Sequence, residues 1–431
     1  MLTKEENDLL TQAGRGTPCG KLMRRYWQPA ALSEELPLGG APLPVRLLGE
    51  DLVLFRDDQG QPGLLDIHCP HRGADLSYGR LEDGGLRCIY HGWLFDARGR
   101  CLDMPGEPRG GGEHKDSIRL RAYPCQERAG IVFAYLGPGE PPLLPAYEIL
   151  TVPEEHRFVC KVFSECNYLQ GNEGNIDPVH LSFLHRIFDD SLARSGRPTP
   201  YTKVKGSDTS INQLLSERLA PAIEVEVKDF GLRIYNWRPV ENGNAYLRVS
   251  NFVMPNLSAV PGETQGAGYL VNWHVPIDDE HHWKYMIVFS REAPLDQEKF
   301  RQRYASEISS GYRPIRNQEN RYLQDRQEMN SKSCAGFGPF FPAHDLYATE
   351  SQGPIQDRTR EHPVSSDKAI VAARKLLLQA IQDVQQGREP AHVARDPKMN
   401  RFPGLVVISE VISSDADWRE YTRRAEAEAR L

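Results

Sequence analysis

The chain has 431 residues, 39% hydrophobic and 26% charged, with a formal net charge of −7; that length can bury a substantial core and favours two domains. The acidic balance gives no electrostatic case for nucleic acid or an anionic membrane, and an anionic substrate needs a local cluster of positive charge. No run of 18 apolar residues occurs and the start MLTKEENDLLTQAG has no basic region followed by an apolar stretch, so neither a membrane-spanning helix nor a secretory signal is expected, and the expected location is cytoplasmic.

Residues 1–26 read as a helical arm that ends in the turn GRGTPCGK. A phosphate loop needs glycine where Arg15 stands and Ser or Thr where Leu22 stands, so this is an ordinary Gly/Pro turn. Residues 27–140 read as short strands broken by turn signals such as DDQGQPG, closing with GIVFAYLG. GPGEPPLLP, Gly137–Pro145, is the expected linker, and residues 141–431 form the second domain. It opens with a helical stretch around 175–185. AIEVEVKDFGLRIYNWRP, NAYLRVSNFVMPN and GYLVNWHVPIDDEHHWKYMIVF follow as strands of an antiparallel sheet. Helical periodicity returns near Asp296 and is strongest in SSDKAIVAARKLLLQAIQDVQQG. There Ser365 or Ser366 is the expected N-cap, Ile370, Leu377, Leu378 and Ile381 the apolar face, and Gly387 the C-cap. Strand runs and helix runs are segregated, so the class is α+β.

Eight cysteines are few for a disulfide framework in so long a chain. Two of them stand in a pattern, Cys69-x-His71, sixteen residues, then Cys88-x2-His91, with a spacer rich in turn residues. A structural zinc can take four such ligands. A [2Fe–2S] cluster with both Cys on one iron and both His on the other suits one Cys and one His per loop better. With GWLFDARG after it, the segment resembles the Rieske ferredoxin family, and the resemblance implies Cys69, His71, Cys88 and His91 as the cluster ligands.

NIDPVHLSFLH holds Asp177, His180 and His185. Five residues between histidines diverge by roughly 140° on a regular helix; a π-like turn would narrow the offset, with Pro178 assisting. Asp177 before Pro178 also reads as a helix N-cap. An electron carrier upstream needs an acceptor, and two His plus one carboxylate can hold a mononuclear iron(II) with positions open for O2. The segment resembles the D-x2-H-x4-H motif of Rieske non-haem iron oxygenases, and CNYLQGNEGNIDPVHLSFLH and IQDRTREHPVSSDKAI resemble their phthalate dioxygenase branch. The resemblance spans nearly the whole chain. It implies a helix-grip, START-like catalytic domain, His180 and His185 as iron ligands, and Asp345 of FFPAHDLYATESQG as the third. Glu350, five residues on, and Asp357 are the fallback carboxylates, and His344 is the competing neighbour.

The same resemblance implies an oxygenase alpha subunit fed by an NADH-dependent flavin/iron-sulfur reductase. Asp177 would bridge an iron-ligand His to a Rieske His of a neighbouring subunit in a homotrimer or hexamer. The implied substrate is an aromatic carboxylate, such as a phthalate or substituted benzoate, which is cis-dihydroxylated with O2. O-demethylation of a methoxybenzoate and a purely electron-transferring Rieske protein are the alternatives. A buried carboxylate calls for arginine. In AYLRVSNFVM, Tyr246, Arg248, Ser250 and Phe252 share one strand face, which makes Arg248 the candidate clamp between aromatic walls, ahead of Arg194 and Arg197.

Overall fold

The computed structural model describes residues 1–108, 112–188, 204–262, 264 and 267–428; Arg194 and Arg197 lie outside them. The first region forms three small antiparallel sheets. In one, Ile131–Ala134 lies between Gln28–Leu32 and Cys125–Arg128. The second runs Leu43–Leu47, Glu50–Arg56, Pro62–Asp66, Ala122–Tyr123, and the third Arg80–Glu82, Gly85–Arg87, Leu94–Phe95, Cys101–Asp103. Alternation along Glu50–Arg56 divides its side chains between two cores. Leu52 and Leu54 join the main one. Val53 and Phe55 join a smaller one with Leu65, Leu86, Trp93 and Phe95, which includes Cys69 and Cys88.

The second region is an eight-stranded antiparallel sheet in the order Arg157–Ser164, His282–Phe289, Leu270–Pro276, Leu257–Val260, Asn244–Val253, Gly231–Val240, Ala222–Lys228. Ile408–Ser413 pairs with the free length of Asn244–Val253. Register sorts the side chains by face. Asn236 lies opposite Arg248, Ile234 opposite Ser250, Asn272 opposite Met286 and His274 opposite Lys284, so the even-numbered residues of these strands share one face. Helices Tyr168–Ile176 and Phe341–Glu350 supply side chains to the same space. On the other face Trp273 meets Phe133 and Tyr147, which joins the sheet to the first region.

The N-terminal arm is two helices, Lys4–Thr11 and Pro18–Met23. Thr3 and Glu6 form a capping box on the first, and Thr17 caps the second, so the GRGTPCGK turn starts a helix rather than ending in coil. The arm packs against the second region. Tyr168 Oη donates to the Leu10 carbonyl at 2.8 Å and Asn167 Nδ2 to that of Thr11 at 2.8 Å. Glu173, buried on helix Tyr168–Ile176, pairs with both Arg358 and Arg374, and Arg358 also reaches Asn7. The long helix is Lys368–Gln385. It starts after Asp367, because Ser365–Asp367 makes a separate 3₁₀ turn, so neither Ser365 nor Ser366 caps it. Its buried stripe is Ala369, Ala373, Leu377, Ala380, Ile381 and Val384, with Ile370 and Leu378 at its margin. Gly387, at φ 76°, closes it. The expectation reached no element beyond Gly387, yet strand Ile408–Ser413 and helix Trp418–Glu428 follow. Among the described residues no helix is long and apolar enough to cross a membrane.

Candidate metal centres

The two Cys/His segments form matching loops. The Gly73 N–H donates to the Cys69 carbonyl at 2.8 Å and the Cys69 N–H to that of Ala74 at 2.8 Å. The Gly92 N–H donates to the Cys88 carbonyl at 2.9 Å and the Cys88 N–H to that of Trp93 at 2.8 Å. Gly73 and Gly92 both have positive φ, 74° and 79°, where a side chain would be strained. The loops present their ligands alike, with both cysteines buried and His71 and His91 turned outward. The imidazoles lie 4.4 Å apart between centroids, and Trp93 stacks on His71 at 4.5 Å. Burial pushes the Cys69 thiol up to about 11, helped by Cys88 and opposed by the backbone N–H groups of His71 and Arg72. Those N–H groups are placed to stabilise a thiolate, the form that ligates iron. Two inner sulfurs and two outer imidazoles fit a [2Fe–2S] cluster of Rieske type. Arg87 braces the loops through Glu82, Asp103 and the Gly92 carbonyl.

The second centre lies at the C-terminal end of helix Tyr168–Ile176. Asn167 caps this helix, and it ends before Asp177, whose backbone is extended. Asp177 is therefore the C-cap of this helix and not an N-cap; its Oδ1 accepts the Val179 N–H at 2.7 Å. His180–Ser182 is a 3₁₀ turn and Phe183 has non-helical dihedrals. The five-residue spacing is thus met by ending the helix and restarting a tighter turn, not by a π-like turn. Arg238, fully buried, holds this segment. It donates to the Pro178 carbonyl at 3.0 Å and the Arg218 carbonyl at 2.8 Å, and lies 3.4 Å from Ser182 Oγ. Burial lowers its pKa to about 10, which leaves it charged at neutral pH.

His180, His185 and Asp345 converge, with one donor atom of each within 4.8 Å of the others. A backbone carbonyl dictates the tautomer of His180. The Asp177 carbonyl can only accept, so the contact at 2.7 Å places a proton on His180 Nδ1 and leaves Nε2 with its lone pair. His344 stands between two carbonyls, Gly338 at 2.8 Å from its Nε2 and Leu184 at 3.1 Å from its Nδ1, and its Nδ1 lies 3.3 Å from His185 Nδ1. On its other side His185 Nε2 lies 3.0 Å from Asp345 Oδ1, an edge that a proton or a metal ion can bridge. Burial lowers His185 to about 4, against the pull of Asp345, so it stays neutral and ligand-ready. Burial alone would raise Asp345; Lys284, at 3.1 Å, and His185 outweigh it and hold the carboxylate well below its usual range. The donor set fits a two-His, one-carboxylate mononuclear iron site. His344, the competing neighbour, orients His185 rather than joining the triad.

The fallback carboxylates lie elsewhere. Glu350 accepts from Tyr322 Oη at 2.6 Å and the Glu165 N–H at 2.9 Å, and Asp357 accepts from Thr359 at the surface. A cavity of about 240 Å³ adjoins the triad, lined by Asp177, His180, His185 and Asp345 and by Arg248, Ser250, Asn236, Asn272 and Lys284 of the sheet. Arg248 is 9% exposed and has no ion-pair or hydrogen-bond partner among the described residues. The aromatic walls come from Phe340 and Phe341. Tyr246, which bonds Ser409, and Phe252 belong to the packing around the cavity. Sequence reading missed Lys284, Arg238 and Asn272. The signal was a charge or amide in otherwise apolar strands: Lys284 in HWKYMIVF, Asn272 in LVNWHVP.

Residues 26–124 match the Rieske [2Fe-2S] domain family and residues 134–431 the LigXa C-terminal domain-like family, which removes the zinc alternative. Over 98% of its length the chain is 36% identical to the phthalate 4,5-dioxygenase oxygenase subunit of Pseudomonas putida, covering 95% of that protein. It is 33% identical over 95% of its length to the 5,5'-dehydrodivanillate O-demethylase oxygenase subunit of a Sphingobium species, covering 87% of it. Among solved structures, the terminal oxygenase of carbazole 1,9a-dioxygenase from Novosphingobium sp. KA1 matches with a TM-score of 0.58 and 21% identity, over 90% of this chain and 99% of that one. The fold, the matching loops and the converging triad agree with these relationships: the chain is an oxygenase subunit of the Rieske non-haem iron oxygenases, in their phthalate dioxygenase branch.

Proposed function

We propose that this oxygenase uses O2 to cis-dihydroxylate an aromatic carboxylate held by Arg248. The observation that carries this reading is the nearly buried, unpartnered Arg248 guanidinium in the wall of the cavity that reaches His180, His185 and Asp345. A buried unpaired cation is costly unless an anion joins it. Asn236, opposite Arg248 in register, adds an unpartnered amide nitrogen.

In this reading Cys69, His71, Cys88 and His91 hold the cluster and His180, His185 and Asp345 the mononuclear iron. When bound, the cluster supplies single electrons and the iron the activation of O2. The protein's part is positional. The Asp177 carbonyl fixes the tautomer of His180, His344 orients His185, and Lys284 keeps Asp345 ionised. The apolar walls exclude water, and Arg248 turns one edge of the ring toward the triad. Asp177 Oδ2, 3.8 Å from His180 Nδ1, faces the electron path, whose donor is a Rieske histidine of a neighbouring subunit in a trimer or stacked pair of trimers. An NADH-dependent flavin/iron-sulfur reductase charges the cluster, and the enzyme works in the cytoplasm.

Arg248→Ala is expected to raise KM for an aryl carboxylate at least about a hundredfold, with a smaller effect on kcat, as for loss of a charge-assisted contact in a dry site. An unchanged KM overturns the clamp. The demethylase relative supports a second reading, O-demethylation of a methoxybenzoate. Products formed under ¹⁸O2 separate the two: a diol with both labelled atoms, or a phenol with loss of the methyl carbon.

A further inference from the structure

We infer that the substrate is an aromatic monocarboxylate with a second, uncharged hydrogen-bonding substituent, an O–H or N–H group, held by Asn272. The inference rests on the reading that Arg248 takes the carboxylate.

The inner face of strand Leu270–Pro276 carries Leu270, Asn272 and His274. His274 is engaged, bonding His282 at 3.0 Å and Asn175 at 2.6 Å. Asn272 is 2% exposed, and its Oδ1 has no hydrogen-bond partner. In register it lies between Met286 and Ser258, whose hydroxyl is also without a partner, and it lines the cavity with Leu270, Val260 and Val288. A buried amide loses its water contacts and gains nothing back unless a ligand supplies them. One strand pair further along, Lys284 faces His274 and holds Asp345. Asn272 thus lies beside the triad on one flank, with Arg248 two strands away on the other. A ring anchored at both places presents a fixed edge to the metal site.

The charges of the described residues provide for one carboxylate. Among the described residues lining the cavity, Lys284 is paired with Asp345 and Arg303 has a partner of its own. Arg248 is the cation left open. An amide offers an N–H₂ donor group and a carbonyl acceptor, and a hydroxyl matches either whichever way the amide is turned.

The test is equilibrium binding of benzoate and the 2-, 3- and 4-hydroxybenzoates to the iron-loaded enzyme by calorimetry. For wild type, at least one hydroxy isomer is expected to bind about tenfold or more tightly than benzoate. In Asn272→Leu that ratio is expected to fall below about twofold. Asn272→Ser replaces it if the leucine variant lacks the Rieske absorption spectrum. A ratio that persists in the variant overturns the inference, as does a wild type that prefers no hydroxy isomer. Arg248→Leu separates this from the carboxylate reading, since it should weaken every acid alike. If it weakens none while Asn272→Leu still erases the ratio, the clamp falls and the Asn272 contact stands.

Discussion

The two carboxylate oxygens of Asp177 face different partners. Its Oδ1 accepts the Val179 N–H and fixes the turn, while Oδ2 remains 3.8 Å from His180 Nδ1. Asparagine can accept the same N–H but brings no charge. Asp177→Asn is therefore expected to keep a near wild-type melting temperature and full iron content. Oxidation of the reduced Rieske centre in a single turnover should slow by about a hundredfold or more. Stopped-flow absorbance of the cluster reads this directly, and an unchanged rate removes Asp177 from the electron path. At this scale the sequence was most informative where chemistry is local. Cys69 with His71, and Cys88 with His91, sit on short loops whose spacing already implies a cluster. Asp345 could be chosen only through the family resemblance, because nothing local marks it off from Glu350. Lys284 and Asn272 were illegible because strand register, not neighbouring sequence, turns them toward the triad.

The element that decides the iron site is the turn from Asp177 to His185. Three chain breaks build it: a helix end at Ile176, an extended residue at Asp177 and a 3₁₀ turn at His180. Such a turn needs its free carbonyls satisfied, and Arg238 does this from the sheet. Arg238→Met keeps length and removes the donors. It is expected to cost about 2–4 kcal/mol of stability and to lower mononuclear iron occupancy while the Rieske absorption stays intact. Metal analysis beside the visible spectrum checks both, and full iron content would show that the turn stands alone. The strands were legible from period-two alternation and the long helix from its apolar stripe. The restart of the chain after Ile176 was not, because Pro178 and the H-x4-H spacing suit a kinked or widened helix equally well. Strand Ile408–Ser413 was missed because its partner, Asn244–Val253, is about 160 residues away and no turn signal links them.

For the whole molecule, the two centres belong to different regions of the chain, 26–124 and 134–431. Among the described residues no hydrogen bond or ring contact joins His71 or His91 to the segment 177–185. Their outward-facing imidazoles are flanked by exposed Ile89 and Tyr90, a surface suited to meeting another protein. If electrons cross between subunits, a Cys88→Ser chain and a His185→Ala chain, each inactive alone, should recover roughly a quarter or more of wild-type turnover when co-assembled. Absence of recovery in verified mixed assemblies would place the transfer within one chain. The two-region organisation and α+β class were legible at the sequence level. The docking of the N-terminal arm on helix Tyr168–Ile176 was not, since it depends on single contacts such as Tyr168 with Leu10.

The central claim is that one chain holds a Rieske cluster and a separate iron on His180, His185 and Asp345. Iron and acid-labile sulfide per chain test it most directly. The wild type is expected to hold about three iron and about two sulfide. Asp345→Ala should drop to about two iron with the sulfide unchanged. Two iron in the wild type, or an Asp345→Ala protein that still holds three, would contradict it.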